Sequence, residues 1–170
     1  MRRVRYGVVM SVDGFIAGPK GEADWITHDP DFDFGALFRQ FDTILAGRRT
    51  FDTMVTAERT TIPGMKTIVF SRTLKQEDYP GVTLVKSGHR EMLTELKGKA
   101  GKDIWLFGGG SLFASLAADG LVDTLEVRVA PVLLGAGVPL MASVPKNISL
   151  KLKAHSGNEA GVVSLEYLIG

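Results

Sequence analysis

Three short clusters in the chain carry residue types that bind anions. Gly47-Arg48-Arg49-Thr50 follows the apolar run Ile44-Leu45-Ala46, and Gly108-Gly109-Gly110-Ser111 follows Ile104-Trp105-Leu106-Phe107. Each reads as strand, glycine turn and helix start. The N–H groups and dipole of such a helix start favour an anion, and glycine lets a ligand come close to the backbone. Arg48 and Arg49 add guanidinium groups suited to phosphate. The third cluster, Ser71-Arg72, lies just past the apolar run Thr67 to Phe70. Ligands of open α/β sheets sit beyond the carboxyl ends of the strands, and an arginine near a ribose there favours a 2′-phosphate. Together the clusters suggest a dinucleotide, and so redox chemistry. Singly, each also reads as a surface arginine or a tight turn. The glycine triplet does not fit G-x-G-x-x-G, because Phe113 stands where the last glycine belongs.

Other residues could meet a substrate. The stretch Ser11-Val12-Asp13-Gly14-Phe15-Ile16-Ala17-Gly18-Pro19-Lys20-Gly21 is glycine-rich and reads as a hairpin or a lid. Trp25 beyond it could wall a pocket for a flat heterocycle. Asp24, Asp29, Asp31 and Asp33 precede or open a helix, where most would cap or stay solvated. One of them could face inward and hydrogen-bond a pterin or pyrimidine. His28, His89 and His155 are scattered without metal-ligand spacing and read as surface residues. No Ser-His-Asp arrangement or G-x-S-x-G motif is legible.

The elements that must position these residues alternate. Val4 to Met10, Thr43 to Ala46, Thr67 to Phe70, Val82 to Val85, Asp103 to Phe107 and Leu125 to Val132 read as strands. Phe15 to Ala17 extends the pairing after a turn. Helices are expected over Asp33 to Phe41, Arg49 to Val55, Glu91 to Lys97 (with Gly98 as its C-cap) and Ser111 to Ala118. Gly135-Ala136-Gly137 is a loop, followed by Pro139-Leu140-Met141. Ile148 to Ala154 and Val162 to Ile169 read as a closing antiparallel pair. This order implies a largely parallel sheet, covered on both faces, with an antiparallel edge.

The 170 residues suit one domain spanning 1–170, and 45% hydrophobic residues suffice for a core. With 20 Lys and Arg against 19 Asp and Glu, neither nucleic acid nor an anionic membrane is the expected partner. The absence of cysteine excludes disulfides, a thiol nucleophile and thiolate-bound zinc. No apolar run is long enough to span a bilayer. The reading is a soluble, unprocessed, cytoplasmic protein.

These pieces, in this order, resemble the dihydrofolate reductase superfamily, and within it the reductase domain of the bifunctional riboflavin-biosynthesis deaminase/reductase. The matching stretches are Ser-Val-Asp-Gly-Phe-Ile-Ala-Gly (11–18), Trp25, Gly-Arg-Arg-Thr-Phe (47–51), Ile-Val-Phe-Ser-Arg (68–72), Gly-Gly-Gly-Ser-Leu (108–112) and Pro-Val-Leu-Leu-Gly-Ala-Gly-Val-Pro-Leu (131–140). The resemblance implies an α/β, three-layer fold with a mixed, mostly parallel sheet of about eight strands and helices on both faces. It implies NADPH as cofactor and a homodimer. By resemblance the cofactor contacts are Ala17, Gly47, Arg48, Arg49, Thr50, Ser71, Arg72, Gly108, Gly109, Gly110, Ser111 and Leu112. Asp13 and Trp25 face the substrate, and Asp31 or Asp33 is the catalytic acid. One departure is visible. Folate reductases carry arginine just after the Pro-Gly that precedes the next strand, whereas Pro63-Gly64 is followed here by Met65 and Lys66. A folate carboxylate would lose its bidentate partner. The riboflavin branch fits better, although the fused deaminase and its zinc motif are absent from this sequence. The implied reaction is NADPH-dependent reduction of a C=N carbon in a pterin- or pyrimidine-type molecule, most like that of 5-amino-6-(5-phosphoribosylamino)uracil reductase. The alternatives are dihydrofolate reductase and a dinucleotide-binding protein with little catalysis.

Overall fold

Strands that are apolar on successive residues need cover on both faces. The computed structural model describes residues 1–26, 32–141 and 147–170. The chain runs β1 (Val4–Ser11), β2 (Phe15–Ala17), α1 (Phe34–Phe38), β3 (Phe41–Gly47), α2 (Arg48–Thr56), β4 (Lys66–Phe70), β5 (Thr83–Val85), α3 (His89–Gly98), β6 (Asp103–Gly108), α4 (Gly110–Ala118), β7 (Thr124–Ala130), β8 (Val138–Pro139), β9 (Leu150–Gly157) and β10 (Val163–Ile169). Eight strands form one sheet in the order β5-β4-β3-β6-β1-β7-β10-β9. The strands from β5 to β7 are parallel, and β10 and β9 close the sheet antiparallel. β2 and β8 pair separately as a small antiparallel ribbon.

The alternation within each strand sorts the core. Tyr6, Leu45, Ile68 and Leu106 point to one face, where Leu93 of α3 and Phe113 and Leu116 of α4 cover them. Ala46 and Val69 point to the other and pack on Phe51 and Met54 of α2. Ile44 and Trp105 share that second face with Leu37 and Phe38 of α1. Helices therefore cover both faces, as expected. Each fully buried Leu, Ile or Phe contributes roughly 1.5–3 kcal/mol. At the far edge β9 is exposed along its whole length. Lys151 and Lys153 stand on it, charges that discourage edge-to-edge pairing.

Two expectations are corrected. The helix expected over Asp33 to Phe41 has only five residues, Phe34–Phe38. Phe41 instead opens β3, its buried ring stacked on Trp105 with centroids 5.6 Å apart. The phenylalanine spacing reflects an aromatic cluster that bridges two elements. Gly98 is the last residue of α3 rather than its cap, and Lys99 caps it in extended conformation.

Candidate functional site

The two glycine turns meet. β3 and β6 are neighbours in the sheet, with Ala46 opposite Gly108. α2 leads from β3 towards β4, while α4 leads from β6 past β1 to β7. The chain thus leaves these two strands in opposite directions, which makes the crevice at their carboxyl ends a topological switch point. A Cβ placed on Gly47 would sit 3.5 Å from Leu112 Cβ and 3.6 Å from the Gly108 carbonyl oxygen. Cβ atoms placed on Gly108 or Gly109 would lie 3.4 Å from Thr50 Oγ1. Gly47, Thr50, Gly108, Gly109 and Leu112 therefore share one small space. Gly47 and Gly109 are the N-caps of α2 and α4, and neither offers a capping side chain. The first-turn N–H groups of two nine-residue helices open there without side-chain acceptors. Such donors suit a pyrophosphate.

Gly110 differs from its neighbours. A Cβ there would lie 2.7 Å from the Leu140 carbonyl oxygen and 2.9 Å from that of Pro139. The close approach that demands glycine comes from the chain's own β8 segment, not from a ligand. Ser111 is exposed in the first turn of α4.

Beside the crevice lies a cavity of about 370 Å³, at the ends of β4 and β5. Arg48, Ser71, Arg72, Lys86, Ser87 and His89 line it, together with Leu112. Arg48 is held in place: its Nε donates to Asp52 Oδ1 at 2.7 Å and its Nη1 to Thr73 Oγ1 at 2.7 Å. Ser71 Oγ accepts the N–H groups of Thr73 and Leu74 at 3.3 and 3.2 Å, which shapes the turn that presents Arg72. Arg49 is exposed on α2 and does not line the cavity. Lys86 escaped the sequence reading, and His89, read there as a surface residue, lines the cavity instead. Lys86 follows a strand of only three residues, and the Gly88-His89-Arg90 helix start is separated from that strand by Lys86 and Ser87, so neither stands in a direct strand-to-glycine turn.

The residues expected near a substrate fare differently. The Asp13 carboxylate accepts the Ser11 hydroxyl at 2.6 Å and the Gly135 N–H at 2.7 Å, and it also accepts the Leu134 N–H. Asp13 is thus turned to the chain's own backbone. The Ser11 hydroxyl, with the Gly135 and Leu134 amides, holds its carboxyl below the usual carboxylate range. Ala17 pairs with Val138 in the β2–β8 ribbon. Trp25 is half-buried, and its indole Nε1 is buried without a hydrogen-bond partner. A ligand acceptor would satisfy that donor. The Asp33 carboxylate caps α1, accepting the Ala36 N–H at 2.8 Å, and its side chain is 65% exposed. Asp31 lies outside the described residues, as do Asp29 and His28. Met65 is buried with Phe41, Ile44 and Trp105, so this position offers no guanidinium to a substrate carboxylate. Among the described residues no His, Cys, Asp and Glu cluster could hold a metal, and no helix is long and apolar enough to cross a membrane.

The model of the RibD C-terminal domain matches residues 2–164. The chain belongs to this family. The uncharacterized protein YyaP of Bacillus subtilis is 36% identical to it over 178 residues, covering 98% of this chain and 94% of that one. A putative riboflavin biosynthesis protein from Shewanella sp. PV-4 has the same fold, with a TM-score of 0.85 and 24% identity over 100% of this chain and 99% of that one. Dihydrofolate reductase from Enterococcus faecalis, solved with NADP(H), superposes with a TM-score of 0.71 at 20% identity, covering 99% of this chain and 96% of that one. RibD C-terminal domains and dihydrofolate reductase thus share this chain's architecture: a mostly parallel eight-stranded sheet with helices on both faces.

Proposed function

We propose that the protein is an NADPH-dependent reductase of a small pterin- or pyrimidine-type substrate. The observation that carries this reading is the joining, along one sheet edge, of two uncapped helix starts at the switch point with a cavity lined by Arg48, Arg72 and Lys86. A dinucleotide needs both: N–H donors for its pyrophosphate and cations for its 2′-phosphate. The donor set fits the oxidised and reduced cofactor alike. Membership of the RibD C-terminal domain family supports a reductase of the riboflavin-pathway type.

In this reading Gly47, Thr50, Gly108 and Gly109 admit the pyrophosphate, and Arg48, Arg72 and Lys86 hold the 2′-phosphate. The bound cofactor supplies a hydride to an electron-poor C=N carbon. The chain supplies binding, orientation and a proton. The acid proposed for the proton is Asp31, because the Asp33 carboxylate is engaged in capping. The substrate proposed is a ribosylamino-pyrimidine of the kind reduced in riboflavin biosynthesis. The buried Met65 speaks against folate.

Parallel titration of the purified protein with NADPH and NADH, followed by nicotinamide fluorescence, tests the reading. Tight NADPH binding with a clear preference over NADH is expected, and Arg72→Ala should reduce that preference roughly tenfold or more, the size of one charge-assisted hydrogen bond. Failure to bind either nucleotide overturns the reading. Turnover assays with pyrimidine imines and pterins then separate an enzyme from a binding protein.

A further inference from the structure

His89 occupies a position in the cationic cavity that the proposed cofactor contacts do not use. It opens α3 and lines the same space as Arg48, Arg72 and Lys86. Its Nε2 lies 2.8 Å from Asp119 Oδ2. Asp119, just past α4, also accepts Arg90 Nη2 at 2.8 Å and is thereby fixed from two sides. The His89 hydrogen bond, with the charges of Arg90 and His89, outweighs the cost of desolvation and keeps the Asp119 carboxyl below the usual carboxylate range. Asp119 is therefore an ionised acceptor for the Nε2–H across the neutral range. The ring's other nitrogen, Nδ1, then accepts when the imidazole is neutral and donates when it is protonated.

We infer that His89 is a specificity-determining residue of this cavity: its protonated ring, anchored by Asp119, adds a donor to Arg72 and Lys86 for a phosphate monoester. This rests on the reading of the cavity as the seat of a 2′-phosphorylated nucleotide. Asp119 after α4 pairs with the ring and with Arg90 of the ring's own helix, while Arg48 from α2, Arg72 after β4 and Lys86 after β5 line the cavity with His89, and Glu91 lies in the same first turn of α3. Cations outnumber carboxylates, and protonation of His89 adds one more positive charge. A monoester carries up to two negative charges and gains from that addition. A nucleotide with a free 2′-hydroxyl does not.

The test is calorimetric titration of the full chain with NADP⁺ and NAD⁺, both stable in mild acid, at about pH 6 and about pH 8.5. Wild type and His89→Gln are compared at each pH, so that titration of the phosphate itself cancels. Near pH 6, His89→Gln is expected to weaken NADP⁺ roughly tenfold, the worth of one charge-assisted hydrogen bond. Near pH 8.5 the two proteins should bind NADP⁺ alike, and NAD⁺ should be unaffected at both. His89→Lys, with a permanent charge, should bind NADP⁺ tightly at both pH values. An equal loss for both nucleotides, or a ratio independent of pH, overturns the inference while leaving the cofactor reading intact. Binding of neither nucleotide by wild type overturns that reading and the inference with it.

Discussion

Gly109 and Gly110 are adjacent, yet glycine is needed at each for a different reason. A side chain on Gly110 would collide with the carbonyls of Pro139 and Leu140, which are backbone and cannot swing away. Gly110→Ala should therefore cost about 1–3 kcal/mol in stability, as overpacking does. Chemical denaturation measures it. Gly109→Ala meets only Thr50 Oγ1 at 3.4 Å, an ordinary contact, and has a negative φ of −96°. It should fold with near wild-type stability and lose dinucleotide affinity, because its methyl group enters the space where the two helix starts converge. If Gly109→Ala bound nucleotide normally, the crevice would not be the pyrophosphate seat. The sequence showed a triplet and could offer one reason for all of it. The reason for Gly110 lies 29 residues downstream, in a ribbon of two-residue pairing that carries almost no periodic signal. Asp31 and Asp33 invite the same separation. Asparagine caps a helix as well as aspartate does, so Asp33→Asn should keep both stability and kcat, while Asp31→Asn should lower kcat sharply.

The legible elements were those with long apolar runs or glycine punctuation. Six strands of the parallel core were readable because burial on both faces leaves near-continuous hydrophobic sequence, and the closing hairpin was readable from the alternation along its two strands. The shortness of α1 was not, since Phe38 packs on Trp105 of β6 as well as on Phe34 of its own helix. Nor was the link between the Ser11–Gly14 turn and the Leu134–Gly135 loop, which joins residues more than a hundred positions apart. Asp13 makes that link, and a depressed carboxyl pKa fixes its sign. The clasp is fully present above the unfolded carboxylate value near ~4 and is lost as pH falls through the lower folded value. The amide resonances of Leu134 and Gly135 should therefore titrate together below about pH 4. Asp13→Asn should abolish that shared titration and speed hydrogen exchange at both amides. Independent titration of the two would show that Asp13 does not couple the turn to the loop.

Across the middle of the sheet, β6, β1 and β7 are joined by charge. Arg5 on β1 donates to Glu126 of β7 at 2.6 and 2.9 Å, and Arg3 donates to Asp103 of β6 at 2.7 Å. Arg5 also lies 3.5 Å from Asp103. The ladder crosses β6, β1 and β7 on the face opposite α4, near the amino ends of the strands and remote from the crevice. Burial alone would raise the Asp103 carboxyl, but the Arg3 hydrogen bonds and the charges of Arg3 and Arg5 outweigh it and hold it below the usual range. A carboxyl so lowered contributes stability above the unfolded value near ~4, and that contribution disappears as pH drops through the folded value. Asp103→Asn should thus cost about 1–2 kcal/mol at neutral pH, discounted because Arg3 is 49% exposed. The melting curves of wild type and variant should converge in acid. Nucleotide affinity should stay unchanged in the variant, because the ladder sits at the opposite end of the strands from the glycine turns. A loss of affinity with full stability would mean instead that the two ends of the sheet are coupled.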